Sequence, residues 1–112
     1  MPGPRSFRVE LRTPEGSAIV ECLEEEAVWL AAARAGVRLP AICHQGRCLT
    51  CAARLREGEV DQSSADTYFP EDREAGFVLL CTARPCSNLV LETHQEEAMR
   101  NHRRVKGLPA PY

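Results

Sequence analysis

The stretch of sequence that decides the fold of this chain is Cys-His-Gln-Gly-Arg-Cys-Leu-Thr-Cys at residues 43–51. A further cysteine ends the apolar run Phe-Val-Leu-Leu-Cys at residues 77–81. The spacing, C-x4-C-x2-C and then a remote C, lets one tight loop and one distant strand enclose a small inorganic cluster. Because iron–sulfur clusters are held by cysteine thiolates at such spacings, the predicted ligands of a [2Fe–2S] cluster are Cys43, Cys48, Cys51 and Cys81.

A structural zinc site with four cysteine ligands is the alternative metal site. Such sites usually contain two close pairs of cysteines, rather than three clustered cysteines and one remote. The spacing therefore favours iron and sulfur over zinc. A Rieske cluster is not predicted from His44, because it needs two histidine ligands and the loop holds only one beside its cysteines.

Three further residues of the loop are predicted to lie against the cluster. Gly46 lets the backbone bend closely, so that amide groups point at the sulfur atoms. Thr50 either donates its hydroxyl to a sulfur or lies at the surface. Arg47 makes the loop basic, together with His44.

The charge of the chain is unevenly distributed. The formal net charge is −2 over 112 residues, but residues 57–97 hold ten acids and two arginines. An acidic surface of this kind favours a basic protein partner and argues against nucleic acid. The end of the chain is positively charged instead. It contains four arginine or lysine residues and no acid: Arg100, Arg103, Arg104 and Lys106.

The six cysteines do not indicate a secreted disulfide scaffold. No apolar signal core follows Met1, and the longest apolar run, residues 27–33, is too short to insert into a membrane. We therefore predict reduced thiols in the cytoplasm. The excess of arginine over lysine suggests a bacterial source. Cys22 and Cys86 are predicted to pack as small apolar thiols in or near the core.

Periodicity predicts one domain of mixed secondary structure. Apolar residues alternate with polar ones in a hairpin over residues 6–23, and strong helix formers follow at 27–35. The shorter elements are strands at 52–56 and 89–91, a helix at 71–75 and a central strand, buried on both faces, at 77–81. The domain is assigned to residues 1–100. Residues 101–112 are read as a basic, aperiodic, mobile tail whose removal leaves fold and cluster intact.

The sequence resembles the plant- and cyanobacterial-type [2Fe–2S] ferredoxins. The match covers roughly residues 7–98, in the stretches 39–40, 43–52, 60–63, 75–81 and 92–97. The resemblance implies an α+β fold of the β-grasp type, in which a mixed sheet packs on one main helix and the cluster loop lies near the surface. It also implies a soluble one-electron carrier rather than an enzyme, with a low potential of about −400 mV.

The resemblance further implies transient protein partners. A monomer is expected to exchange electrons with a basic flavin reductase and with reductive enzymes, or to serve a single oxygenase. An acid at position 96 has the docking role in this family. The predicted docking residues around it are Glu96, Glu92, Glu97, Asp66 and Asp61.

Overall fold

The structure is a computed structural model and describes residues 5–41 and 49–110. Within these ranges it contains strands and helices in the following chain order: β1 (Ser6–Thr13), β2 (Gly16–Leu23), α1 (Val28–Arg34), β3 (Ala52–Glu57), β4 (Val60–Asp61), α2 (Pro70–Glu74), β5 (Phe77–Leu79), β6 (Arg84–Pro85), β7 (Leu89–Glu92) and α3 (Glu96–Val105). Across the same ranges, no helix combines the length and apolar character needed to cross a bilayer.

Five of the strands form one mixed sheet in the order β2-β1-β7-β3-β5. Strands β1 and β7 are parallel, and the other neighbours are antiparallel. Strands β4 and β6 form a separate two-stranded sheet. Apolar side chains of the large sheet and of α1 pack into one core. This is the β-grasp arrangement, and the predicted fold class is confirmed.

The first hairpin follows the predicted alternation. Val9 and Leu11 of β1 and Val20 and Cys22 of β2 are buried, while their sequence neighbours are half-buried or exposed. Residues Thr13 and Gly16 pair directly across the turn. Because the period of a strand is two, this register places all four apolar side chains on the core face.

The predicted helix at 27–35 is also confirmed. Helix α1 buries Val28, Ala31 and Ala32 against the core. It ends at Arg34, and Gly36 follows two residues later with a φ of +83°, a conformation that glycine adopts readily.

The strand predicted to be central is instead the edge strand β5. It is fully buried because the adjoining chain covers its outer side: α2 packs on it, and the Gln62 side chain accepts a hydrogen bond from Leu79 N–H at 2.6 Å. A side chain thus replaces the missing neighbouring strand. The central position is taken by β7, between β1 and β3.

The chain beyond residue 100 also differs from the prediction. Helix α3 runs to Val105, so the boundary placed at residue 100 falls inside a helix. The buried face of α3 contains Met99 and Arg103, four residues apart. The apolar pattern did not indicate a helix because the second of these core positions is an arginine.

Candidate metal centre

The structure places two of the predicted ligands, Cys51 and Cys81, on chain segments that are hydrogen-bonded to each other. Cys51 precedes β3, and Cys81 follows β5, the neighbour of β3 in the sheet. The N–H of Leu80 donates to the carbonyl of Cys51 at 3.2 Å. Cys51 is 2% exposed and Cys81 is 9% exposed. The predictions for Cys43, Cys48, Gly46 and Arg47 fall on residues 42–48, which lie outside the described residues.

A tight turn anchored to helix α1 holds Cys81. The carbonyl of Leu79 accepts from the N–H of Thr82 at 3.1 Å and from that of Ala83 at 2.9 Å. At the start of α1, Val28 N–H donates to the carbonyl of Ala83 at 2.9 Å, and Trp29 N–H donates to that of Leu80 at 3.0 Å. The first turn of a helix has free N–H groups, and here they hold the backbone on both sides of Cys81.

Gln62 is a residue of the site that the sequence reasoning did not identify. Its Nε2 donates to Thr82 Oγ1 at 3.2 Å and to the Leu79 carbonyl at 3.4 Å, while its Oε1 accepts from Leu79 N–H. The side chain therefore ties the β4 segment to the turn that contains Cys81. Its position within the family-like stretch 60–63 was the available signal.

The start of α3 lies beside the Cys51 segment. Gln95 N–H donates to the carbonyl of Ala52 at 3.0 Å, and Glu96 is the next residue. His94, just before, has a φ of 59°, which turns the chain sharply between β7 and α3. The predicted docking acid Glu96 therefore follows Gln95, which is hydrogen-bonded to Ala52, the residue after Cys51.

The five predicted docking acids lie in two segments. Glu92, Glu96 and Glu97 surround the turn between β7 and α3, whereas Asp61 ends β4 and Asp66 lies between β4 and α2. Among the ion pairs of the described residues, three join one of these acids to an arginine. These ion pairs are Glu96 with Arg100 at 2.9 Å, Asp61 with Arg84 at 3.2 Å, and Glu92 with Arg56.

Hydrogen bonds lower the pKa of two of these acids. The hydrogen bond with the Ser63 side chain, helped by the Ser63 N–H, lowers the pKa of Asp61. The hydrogen bond from Arg56 lowers the pKa of Glu92, and its positive charge adds to the effect. Carboxylates are negative at neutral pH even at their ordinary pKa, and the fields of these two are partly compensated by the chain's own arginines.

The side chain of Thr50 provides a test of whether this region fits a cluster. Thr50 is 9% exposed, and its Oγ1 is buried with no hydrogen-bond partner in the described part of the chain. A buried hydroxyl normally has an acceptor, and a cluster sulfur or a bound thiolate would provide one. Within residues 5–41 and 49–110, fewer than three potential metal ligands come together, since two of the four predicted cysteines fall outside them. The residues present fit a [2Fe–2S] cluster.

The two remaining cysteines have different environments, and neither is in a disulfide. Cys22 is buried, its Sγ donates to the carbonyl of Glu26 at 3.2 Å, and burial raises the pKa of its thiol to about 12. The prediction of a packed apolar thiol is confirmed for Cys22. For Cys86 it is wrong, because this residue is exposed just after β6.

Comparison with known proteins agrees with this geometry. Residues 12–86 match the family described as the 2Fe-2S iron-sulfur cluster binding domain. The chain is 42% identical over 94 residues to ferredoxin-2 of a Synechococcus species, covering 84% of this chain and 90% of the relative.

Two solved structures extend the comparison to the fold. Pectocin M2 superposes with a TM-score of 0.75 and 31% identity, over 83% of this chain and 34% of that one. An Amycolatopsis cytochrome P450 reductase superposes with a TM-score of 0.71 and 34% identity, over 79% of this chain and 26% of that one. This chain thus corresponds to one part of each larger protein. It belongs to the [2Fe–2S] ferredoxin family and is an electron-transfer protein, not an enzyme, that holds a single [2Fe–2S] cluster.

Proposed function

We propose that Cys43, Cys48, Cys51 and Cys81 ligate the cluster. The main support for this ligand set is the hydrogen bond between the chain segments that contain Cys51 and Cys81. Leu80 N–H donates to the Cys51 carbonyl, and both thiols lie in the core; the buried hydroxyl of Thr50, next to Cys51 in sequence, has no hydrogen-bond partner among residues 5–41 and 49–110. When bound, the cluster supplies one-electron redox chemistry, at about −400 mV in the plant-type proteins.

The chain's own residues hold the thiols and exclude water from them. Leu49 and Leu80 are essentially unexposed on either side of the described ligands. Exposure to solvent and hydrogen bonds to sulfur are the means by which a protein sets the potential of such a cluster. The Thr50 hydroxyl is the described donor that is available for this role.

The proposed dock for a basic flavin reductase comprises the acids around Glu96. The hydrogen bond from Gln95 N–H to the Ala52 carbonyl supports it, because it holds the first turn of α3 next to the Cys51 segment. The pairing of Glu96 with Arg100 weakens the local negative field. Weak steering suits a partner that must dissociate after each electron. We further propose that the protein acts as a monomer in the bacterial cytoplasm and passes electrons to reductive enzymes or an oxygenase.

The purified protein is expected to be red-brown and to contain two irons and two acid-labile sulfides per chain, as one [2Fe–2S] cluster requires. Reduction by one electron should produce a rhombic EPR signal, because the two irons then share one unpaired electron. Metal analysis, visible absorbance and EPR of protein made anaerobically with sufficient iron test this. A colourless protein with stoichiometric zinc would support the structural zinc alternative instead.

Glu96→Lys is expected to slow electron exchange with a basic acceptor while leaving the visible spectrum unchanged. The substitution replaces an attractive charge by a repulsive one and also sets Lys against Arg100. Because exposed charges are screened over about 8 Å at physiological ionic strength, the defect should diminish as salt is added. Stopped-flow reduction of a basic c-type cytochrome across a salt series measures the effect.

The matched control for this experiment is Glu21→Lys. Glu21 is exposed on β2, at the opposite edge of the sheet from β5. Glu21→Lys changes the total charge by the same amount as Glu96→Lys. The pair of variants therefore separates a local docking site from a general effect of net charge. Equal rates for the two variants at low salt would remove Glu96 from the dock.

A further inference from the structure

We infer that Trp29 is a positioning residue that links the two segments from which the proposed cluster ligands come. Its backbone N–H donates to the carbonyl of Leu80, the residue before Cys81, at 3.0 Å. Its indole Nε1–H donates to the carbonyl of Leu39, in the segment that leads to Cys43, at 2.9 Å. One residue of α1 thus bonds both segments without any metal atom in between.

The two bonded carbonyls are close in sequence to the proposed ligands. Leu80 immediately precedes Cys81, and Leu39 lies four residues before Cys43. A short chain segment limits how far its end can move, since each residue spans at most about 3.6 Å. Fixing the Leu80 carbonyl therefore restricts the position of Cys81, and fixing the Leu39 carbonyl holds the start of the segment that leads to Cys43. The positioning role of Trp29 rests on the proposed ligand set.

The surroundings of Trp29 make the link stiff. Leu39 and Leu80 are both buried in the core, and the Trp29 ring packs against the same core while remaining part-buried. Trp29 also lies in the first turn of α1, where Val28 N–H donates to the Ala83 carbonyl. The helix therefore holds the Cys81 turn at the carbonyls of Leu80 and Ala83. It also holds the segment that leads to Cys43, at the carbonyl of Leu39.

The indole donor is the part of this link that a substitution can remove. Trp29→Phe keeps an aromatic ring in the core and deletes the N–H. Groups that hydrogen-bond directly to metal ligands typically change metal affinity by about 10- to 100-fold when mutated, and Trp29 acts one residue or more further along the chain, so the lower end of that range applies. We therefore expect the variant to lose its cluster to an iron chelator roughly tenfold faster than the wild type. Loss of visible absorbance at a temperature at which the fold is intact measures the rate.

A second variant isolates the hydrogen bond from the ring. The chain has a single tryptophan, so growth with benzothienylalanine replaces Trp29 alone by a side chain of the same shape without the N–H. It should also lose the cluster faster than wild type. This variant decides the question by itself if Trp29→Phe does not fold.

Val9→Ala is the control for a purely structural effect. Val9 is fully buried in β1, which pairs with β2 and β7 rather than with either cysteine segment. Thermal unfolding compares the loss of stability in Val9→Ala with that in the Trp29 variants. The inference is supported if the Trp29 variants release the cluster faster than Val9→Ala at equal loss of stability.

Two results would overturn the inference: wild-type release from the benzothienylalanine protein, or equally fast release from Val9→Ala. Failure of the proposed ligand set looks different. A Cys81→Ala protein that kept its cluster would refute the ligand set, whatever the Trp29 variants did.

Discussion

Arg103→Met is expected to destabilise the protein by about 3–5 kcal/mol, because it removes the arginine from a buried carboxylate. In the described part of the chain this leaves His102 as the only ion-pair partner, with its Nε2 3.6 Å from Asp72 Oδ1. Arg103 and Asp72 are both 0% exposed. Their contact is bidentate, with Nη2 to Oδ2 at 2.8 Å and Nε to Oδ1 at 3.2 Å. Such a pair is costly to break from one side even where its net contribution to stability is small.

The same guanidinium connects three separate parts of the chain. Besides Asp72 in α2, it donates to the Thr67 carbonyl at 2.9 Å and to the Pro109 carbonyl at 3.2 Å, and it lies 5.0 Å from the centre of the Phe69 ring. Helix α2 has only five residues and cannot be stable by itself. Its position therefore depends on α3, and a truncation after residue 100 should destabilise the fold as Arg103→Met does.

Urea and thermal unfolding of the cluster-containing protein measure this effect. Arg104→Met is the control, because Arg104 is the exposed neighbour of Arg103 on the same helix. Arg103→Met combined with Asp72→Leu should recover part of the loss by removing both charges. Recovery is incomplete because Asp72 Oδ2 also accepts the N–H of Phe69 at the start of α2. Equal stability of Arg103→Met and Arg104→Met would contradict the buried pair.

Cys81→Ala is expected to abolish the visible spectrum of the cluster and to weaken the fold. Three thiolates cannot complete the coordination of both irons, and the free energy of metal binding is part of the free energy of folding. The turn around Cys81 is already held by α1 and Gln62. The loss should therefore come from the missing thiolate rather than from a collapsed turn.

Visible absorbance, iron content and far-UV circular dichroism follow this loss. Cys86→Ala is the control, since this exposed thiol lies outside the proposed ligand set. Cys22→Ala should likewise retain the spectrum, with some loss of stability because its thiol is buried. A retained spectrum in Cys81→Ala, or its loss in Cys86→Ala, would show that the ligand assignment is wrong.

The sequence alone determined the fold class and the type of cofactor. The spacing of cysteines is a local property that directly reflects how a loop wraps a cluster. The alternation in β1 and β2 and the helix formers of α1 are likewise local, because side chains two or four residues apart share a face. These features could therefore be predicted without knowing which strands are neighbours.

Only the tertiary structure decided how the elements support the site. The apolar run at 77–81 could not reveal whether it lay at the centre or the edge of the sheet, because burial by α2 and Gln62 looks the same in sequence as burial by strands. The arginine at 103 reads as a surface residue until Asp72, distant in sequence, is placed against it. Trp29 and Gln62 also bind residues that are distant in sequence. Each joins segments whose contact depends on the whole fold, so the periodicity of the sequence around them does not indicate which segments they join.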